Sequence, residues 1–347
     1  MKLGTWGGWV ASMALLAACG ARSDLSTGED VTPAGFDAGA PRVRDAGAPR
    51  TRDAGALSDA GGPPPMEDAG APRRPDAGVS DDPVDVGPTT FRMGSPTDEE
   101  RREPDEVRHE VTVTRAFEVA RTELTQRQWR DVVGTEPSFH RGCGDDCPVE
   151  TINCWEALAF ANERSALEGL PLCYELVDCT GELGRGCVSG EANSVTGCDT
   201  DFRCAAATFA GLDCAGYRLP TESEWELAAR GGSTGAWPIG DDVARVNEIG
   251  WCAGAGGEVH PVAQLRANPW GLYDTAGNVY EWVWDHYAEY PSEPVTDPLG
   301  PPVGRQRCMR GGSYAFGDFT CRSANRGARE AEKGFAYIGL RLVRTLP

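Results

Sequence analysis

The chain has 347 residues, 40% hydrophobic and 25% charged, with 33 Lys and Arg against 53 Asp and Glu, a formal net charge of −20. That composition suits a globular chain with a core and argues against a nucleic-acid backbone binder, which needs clustered Lys and Arg. The four His, at 109, 140, 260 and 286, speak against a multi-His metalloenzyme, and 13 Cys are too many for a reducing cytosol unless they bind metal.

Residues 1–18 read as an export signal. Lys2 gives the positive start, and Trp9 to Ala18 form a short apolar run, too short to span a bilayer. The run ends in Leu16-Ala17-Ala18-Cys19-Gly20, which resembles a bacterial lipobox. That resemblance implies a lipid on Cys19, attachment to a membrane, and an exported chain, periplasmic or at the cell surface. Setting Cys19 aside leaves twelve of the 13 Cys, an even number for which disulfides are the default in an oxidising compartment.

Residues 19–87 hold one aromatic residue, Phe36, and repeat Asp-Ala-Gly-Ala-Pro at 37–41, 45–49 and 68–72. Such a segment buries too little apolar surface to offset its ordering entropy. It is expected to be a disordered tether. From about Pro88 the composition changes, and residues 88–347 carry eight of the ten Trp. Val111-Thr112-Val113 reads as a strand. Leu124-Thr125-Gln126 with Trp129 opens a helix. Asn153 to Leu167 reads as a second, with Trp155, Leu158, Ala159 and Ala166 on one face. Thr221-Glu222-Ser223-Glu224 caps a third, turning Trp225, Leu227 and Ala228 to the core. Gly339 to Val343 reads as a late strand. Few helices, short strands and much irregular backbone make an α+β domain.

Nine Cys fall between 143 and 214. Cys143-Gly144-Asp145-Asp146-Cys147 has the look of half a zinc site, but a closed site needs four N or S ligands, and export favours disulfides. Residues 173–214 are expected to form a cystine-laced surface insertion of unreadable connectivity. Farther on, Asp274, Gly277, Val279 and Glu281 place two carboxylates and backbone carbonyls on one Gly-containing loop, a set that suits a hard cation. Gly311-Gly312-Ser313 permits a close backbone approach. Arg322 and Arg326 are spaced to share a helix face. His286 beside Asp285 suggests a hydrolase pair, but no nucleophile elbow accompanies it.

Four stretches in order narrow the reading. The first is Phe91-Arg92-Met93-Gly94-Ser95, followed by Glu103-Pro104, His109 and Glu123-Leu124-Thr125. The second is Gly216-Tyr217-Arg218-Leu219-Pro220-Thr221-Glu222-Ser223-Glu224-Trp225-Glu226, leading into Ala228-Ala229-Arg230-Gly231-Gly232. The third runs from Asn268-Pro269-Trp270-Gly271-Leu272-Tyr273-Asp274 through Gly277-Asn278-Val279-Tyr280-Glu281-Trp282. The fourth is Arg310-Gly311-Gly312-Ser313-Tyr314, then Arg322-Ser323-Ala324-Asn325-Arg326, then Gly339-Leu340-Arg341. Together they resemble the formylglycine-generating enzyme, or sulfatase-modifying factor, family over roughly 88–347.

The resemblance implies an α+β fold of the complex C-type-lectin-like kind, with little regular secondary structure. It implies calcium held by the side chains of Asp274 and Glu281 and the carbonyls of Gly277 and Val279. A second calcium would use Asn247 and the Glu248 carbonyl, but Gly254 stands where an Asp ligand is expected. Ser313 would lie at the active site, and Arg322 and Arg326 would line the cleft. The enzymes of the family hold copper(I) between two Cys thiolates five residues apart, a soft-ligand site. Counting forward from Tyr314, those positions are Phe316 and Cys321. Counting back from Arg322, Cys321 matches neither, so in both frames a thiol is missing at Phe316. Cys308 and Cys252 remain as partners for Cys321, a Cys308–Cys321 disulfide being the simpler account. The family branch with a three-His iron domain has no counterpart here.

The expected function is therefore an envelope-anchored, calcium-stabilised binding or accessory module for a protein or glycan, lacking the copper dithiol. The alternatives are a divergent copper- and thiol-dependent oxidoreductase converting a protein cysteine to formylglycine, and a purely structural envelope protein. A closed set of six disulfides would favour the module.

Overall fold

The computed structural model describes residues 82–188, 197–252 and 257–347. The chain divides into two units, Met1–Pro65 and Met66–Pro347, and every described residue belongs to the second. The export signal, Cys19, nearly all of the tether and Gly254 lie outside the described residues.

The three predicted helices form, each started by the signal in its sequence. Helix α1 is Gln126–Val133, α2 is Cys154–Leu167 and α3 is Glu222–Arg230. Each begins with a reciprocal capping box: Thr125 with Gln128, Asn153 with Glu156, Thr221 with Glu224. This satisfies N–H groups that the first turn leaves without intrahelical partners. Helices α1 and α3 stop at Gly134 and Gly231, both left-handed, a conformation that costs glycine little. The apolar faces differ from expectation. On α2, Ala166 is exposed and Ser165 is buried, because the Ser165 hydroxyl donates to Ala161 O and accepts from Tyr217 N. On α3 every residue is buried, charged ones included.

Short strands surround these helices in small sheets. The Tyr280–His286 strand is central to a four-stranded sheet, antiparallel to Arg307–Arg310 and parallel to Ile338–Leu340, with Arg326–Arg329 at the far edge. Val84–Val86, Phe117–Val119, Val343–Thr345 and Tyr217–Arg218 make a second sheet in that order. His109–Val113 contains the predicted strand and pairs with Thr89–Met93 and Val295–Thr296. The predicted strand over Gly339 to Val343 is split. Ile338–Leu340 and Val343–Thr345 join different sheets, and the break lies at Arg341, whose guanidinium is drawn 2.7 Å from the buried Glu281 carboxylate. The main apolar cluster gathers Trp129, Leu158, Phe160, Trp282 and Leu340 between α1, α2 and the central sheet.

Five disulfides are formed among the described residues. Cys143–Cys147 is a disulfide rather than half of a zinc site. Cys173–Cys214, Cys179–Cys204 and Cys187–Cys198 nest inside one another and close the 173–214 insertion at its two ends. Cys321 is bonded to Cys252, not to Cys308. Cys154 and Cys308 remain as buried thiols, so the set of six bridges is not reached. Cys154 opens α2 in the apolar core, and Cys308 sits on a central strand facing Glu222 and Arg326.

Candidate functional site

Helix α3 positions the site by burying Glu222 and Glu226 among arginines from the C-terminal third, while Glu224 pairs with Arg218 before the helix. Arg310 donates to Glu222 at 3.0 Å, to Glu226 at 2.5 Å and to the Ser323 carbonyl at 2.6 Å. Arg326 donates to both oxygens of Glu222, at 2.7 and 2.9 Å, and its guanidinium lies 3.7 Å from the Tyr290 ring centre. Burial alone would raise the Glu222 carboxyl, but Arg326 and Arg310 outweigh it and hold it at about 2. Nearby, Arg322 is clamped by Glu106, at 2.6 and 2.8 Å, and by Glu99 at 2.6 Å.

Arg322 and Arg326 therefore do not share a helix face. Arg322 follows a short 3-10 turn, Asp318–Cys321, in extended conformation, and Arg326 begins a strand. Both still reach a cavity wall. Arg326 borders a cleft of about 500 Å³, together with Tyr280, Tyr287, Phe316, Phe319 and Asn325. Arg322 borders a different cavity. In the cleft, Phe316 stacks edge-on against Tyr280 and Tyr337, with ring centres 5.9 and 5.0 Å away. Asn325 is buried and its Oδ1 has no hydrogen-bond partner.

Gly311 and Gly312 have φ of +101° and +74°, and a Cβ on Gly312 would lie 2.7 Å from Cys321 Sγ. The close approach read from Gly311-Gly312 is thus used to press the loop against the Cys252–Cys321 bridge. Ser313 is fully buried and its hydroxyl accepts from Ala315 N at 3.3 Å. The next residue, Tyr314, shares a 2.8 Å hydrogen bond with His140 Nε2. Of the remaining thiols, burial pushes Cys308 well above its usual range and Cys154 up to about 11. Thiols held protonated in this way are poor nucleophiles and poor metal ligands. Asp285 and His286 do not form a catalytic pair either. Asp285 accepts from Glu222 N at 2.8 Å, so it caps α3, and His286 Nδ1 has no partner.

The predicted cation loop is built around a residue that sequence reasoning did not single out as a ligand, Glu123. Its carboxylate accepts from Val279 N at 2.9 Å and from Asn278 Nδ2 at 2.7 Å. Burial, then the nearby Asp274 and Glu281 carboxylates, push Glu123 well above the ordinary range. Burial likewise raises Asp274 to about 6. One Asp274 oxygen accepts from Ala263 N at 2.7 Å, whereas the other is buried with no partner. Glu281 is bound by Trp225 Nε1 at 2.6 Å and by Arg341. Three buried carboxylates thus face one arginine, a negative surplus that a divalent cation would balance. Among the described residues no group of three or more His, Cys, Asp or Glu side chains is arranged to hold a metal ion, and the open acceptor in the loop is the unpartnered Asp274 oxygen. The only earlier signal for Glu123 was its place in the Glu123-Leu124-Thr125 motif.

For the second calcium expected from the resemblance, only Asn247 and Glu248 fall among the described residues. They lie exposed on the Val243–Glu248 turn, where Arg245 binds the Glu248 carboxylate at 2.8 Å and Arg266 N donates to its carbonyl at 2.9 Å.

Comparison with known proteins agrees with this architecture. Residues 71–346 match the sulfatase-modifying factor enzyme 1-like domain. The chain is similar to a protein of Paenibacillus barcinonensis named chaperone protein LppX, 29% identical over 247 residues, covering 66% of this chain and 80% of the relative. It is also similar to the formylglycine-generating enzyme of Streptomyces coelicolor, 37% identical over 147 residues, covering 37% of this chain and 46% of that enzyme. The match to that enzyme therefore spans about half of its length. Among solved structures, Treponema denticola variable protein 1 superimposes with a TM-score of 0.64 at 30% identity, covering 76% of this chain and 95% of that one. PvdO from Pseudomonas aeruginosa shares the fold, with a TM-score of 0.56 at 22% identity, covering 76% of this chain and 94% of that one. The capping helix α3, the glycine loop against a cystine and the match across residues 71–346 lead to one conclusion: the chain belongs to the family of sulfatase-modifying factor enzyme 1-like domains.

Proposed function

We propose that this chain is an accessory or binding module of the cell envelope, anchored through a lipid on Cys19, stabilised by calcium and without the copper dithiol of the formylglycine-generating enzymes. One observation carries the reading. Phe316 stands where a catalytic thiol would be, on the wall of an aromatic cleft of about 500 Å³, while Cys321 is tied to Cys252. A sulfur engaged in a disulfide is not a thiolate and cannot serve as one of two thiolate ligands to copper(I). The cleft instead offers ring faces from Phe316, Phe319 and Tyr287 and an unsatisfied acceptor on Asn325. Such a surface suits an extended peptide or a glycan ring, which stack on aromatic faces and donate hydrogen bonds. That the relative from Paenibacillus barcinonensis is named a chaperone supports an accessory role toward another envelope protein.

Calcium supplies rigidity in this reading. Asp274 and Glu281 would give side-chain oxygens, and Gly277 and Val279 carbonyls, fixing the loop that leads into the Tyr280–His286 strand beneath the cleft. The deciding experiment is a thiol count by mass spectrometry on the full chain, unreduced and then unfolded in a thiol-blocking reagent. Labels on Cys154 and Cys308 only, with no aldehyde formed on a Cys-x-Pro-x-Arg peptide after copper loading, are expected. Labelled Cys252 and Cys321 together with copper binding would overturn the module and restore the oxidoreductase.

A further inference from the structure

A second cavity lies beside the Phe316 cleft, with Phe319 on the wall of both. It measures about 610 Å³ and is walled by the loop at 96–101, the segment at 234–243 and the turn at 317–319. Its chemistry is strongly one-sided. Asp98, Glu99, Glu100, Asp241 and Asp318 line it, against Arg101 and Arg322.

Most of the positive charge there is already engaged. Arg322 is held by Glu106 and Glu99, the latter at 2.6 Å. Arg101 meets Glu100 only at 3.9 Å, with both side chains exposed, a pairing worth little. Asp241 also has an internal task, accepting from Ala236 N at 2.8 Å. Asp98, Glu100 and Asp318 remain as carboxylates turned to the cavity and solvent.

An independent feature asks for a ligand of a particular shape. Trp237, on the cavity wall, is 6% exposed, and its indole Nε1 has no hydrogen-bond partner. A buried donor without an acceptor costs free energy that a bound acceptor would recover. Phe319 supplies an aromatic face, over which the Arg101 guanidinium already lies 5.9 Å from the ring centre. The wall therefore accommodates a guanidinium in practice.

We propose that this cavity binds a basic polypeptide segment, its Arg or Lys head meeting Asp98, Glu100 and Asp318 while a neighbouring main-chain carbonyl accepts the Trp237 Nε1–H. The aliphatic stem of such a side chain packs on Trp237 and Phe319 while its head stays among carboxylates. A free anion is repelled by the same carboxylates, and an uncharged chain leaves them unanswered. The formal net charge of −20 adds long-range attraction for a basic partner. Phe319 borders both this cavity and the Phe316 cleft, but none of the three carboxylates borders the cleft. The two readings can therefore fail separately.

The test is calorimetric titration of the full chain with acetyl-Gly-Arg-Gly-Arg-Gly-amide, its citrulline counterpart and free argininamide. The arginine peptide is expected to bind, with the citrulline peptide weaker by about tenfold or more and affinity falling with added salt. The triple variant Asp98→Asn, Glu100→Gln, Asp318→Asn, at accessible positions, should lose about tenfold with an unchanged near-ultraviolet spectrum. Trp237→Phe should weaken the peptide more than argininamide. Equal affinity of the two peptides, or of parent and triple variant, overturns the proposal. Argininamide binding as tightly as the peptide overturns the polypeptide occupant. A Phe316→Ala variant should bind the arginine peptide as the parent does, whatever happens to the cleft's own ligand.

Discussion

The α3 hub and the 173–214 insertion solve the same problem by opposite means. Both must hold irregular backbone in one arrangement. The hub does it with charge: Arg310, Glu222 and Glu226 are essentially without solvent, and the terminal nitrogens of Arg310 donate to both glutamates and to the Ser323 carbonyl. The insertion does it covalently, with three nested bridges over a stretch whose Val177 and Val188 remain exposed. The difference follows from surroundings. Packed sheets on either side of α3 exclude water, so charges there must be paired and their pairing is strongly interdependent. The insertion has too little apolar area for a core of its own, and cross-links restrict its unfolded state instead.

The comparison breaks most visibly at Glu222. Glu222→Gln leaves Arg326 and Arg310 without their shared partner. It should destabilise the fold by about 3–5 kcal/mol in urea unfolding, with loss spread over the whole domain in hydrogen exchange. The double change Cys173→Ser with Cys214→Ser opens the outermost bridge. It should cost about 2–4 kcal/mol, with faster exchange confined to 173–214. An equally global loss from both variants would show that the two regions are not held separately.

Calcium should sharpen the contrast. Chelator treatment should lower the melting temperature and speed exchange around Asp274 to Glu281, with readdition restoring about 1–3 kcal/mol. The insertion should be indifferent. If chelation changes neither, the buried carboxylate surplus is relieved by protonation rather than by metal.

Acid and alkali should act on different regions. Glu222 is depressed to about 2 from an ordinary 4.5. Its contribution is therefore complete above 4.5 and is lost as pH falls toward 2. Glu156 caps α2 and accepts from Gly184 N of the insertion, and burial raises it to about 8. Its contribution is complete below 4.5 and declines as pH rises through about 8. Exchange rates near Gly184 should thus rise with alkali, whereas the Glu222 contacts on α3 should be lost in acid. The smallest effect is expected at the surface, where Arg127→Ala removes exposed pairs to Asp145 and Asp146 at about 0.5 kcal/mol or less.

Much was legible in local sequence because its causes are local. Thr125, Asn153 and Thr221 announced the three helix starts, since a capping box needs only residues three apart. The crowding of Cys between 173 and 214 announced an insertion closed by bridges. The paired glycines before Ser313 announced a close backbone approach. The order of the four motifs fixed the family and, with it, the fold class.

What only the tertiary structure decided depends on which distant residues meet. The partner of Cys321 was ambiguous in one dimension, and packing chose Cys252, leaving Cys308 against Glu222 and Arg326. Arg322 and Arg326 are spaced like helix neighbours, yet each meets a separate carboxylate, Glu106 and Glu222, one from extended backbone after a turn and the other from a strand. Glu123 joined Asp274 and Glu281 although some 150 residues of chain separate it from them. Trp237 and Asp318 came to line one cavity in the same way. Sequence determines local propensity because its range is a turn or two. Burial, charge pairing and cavity shape are properties of contacts across the chain, and those are fixed only when the whole domain closes.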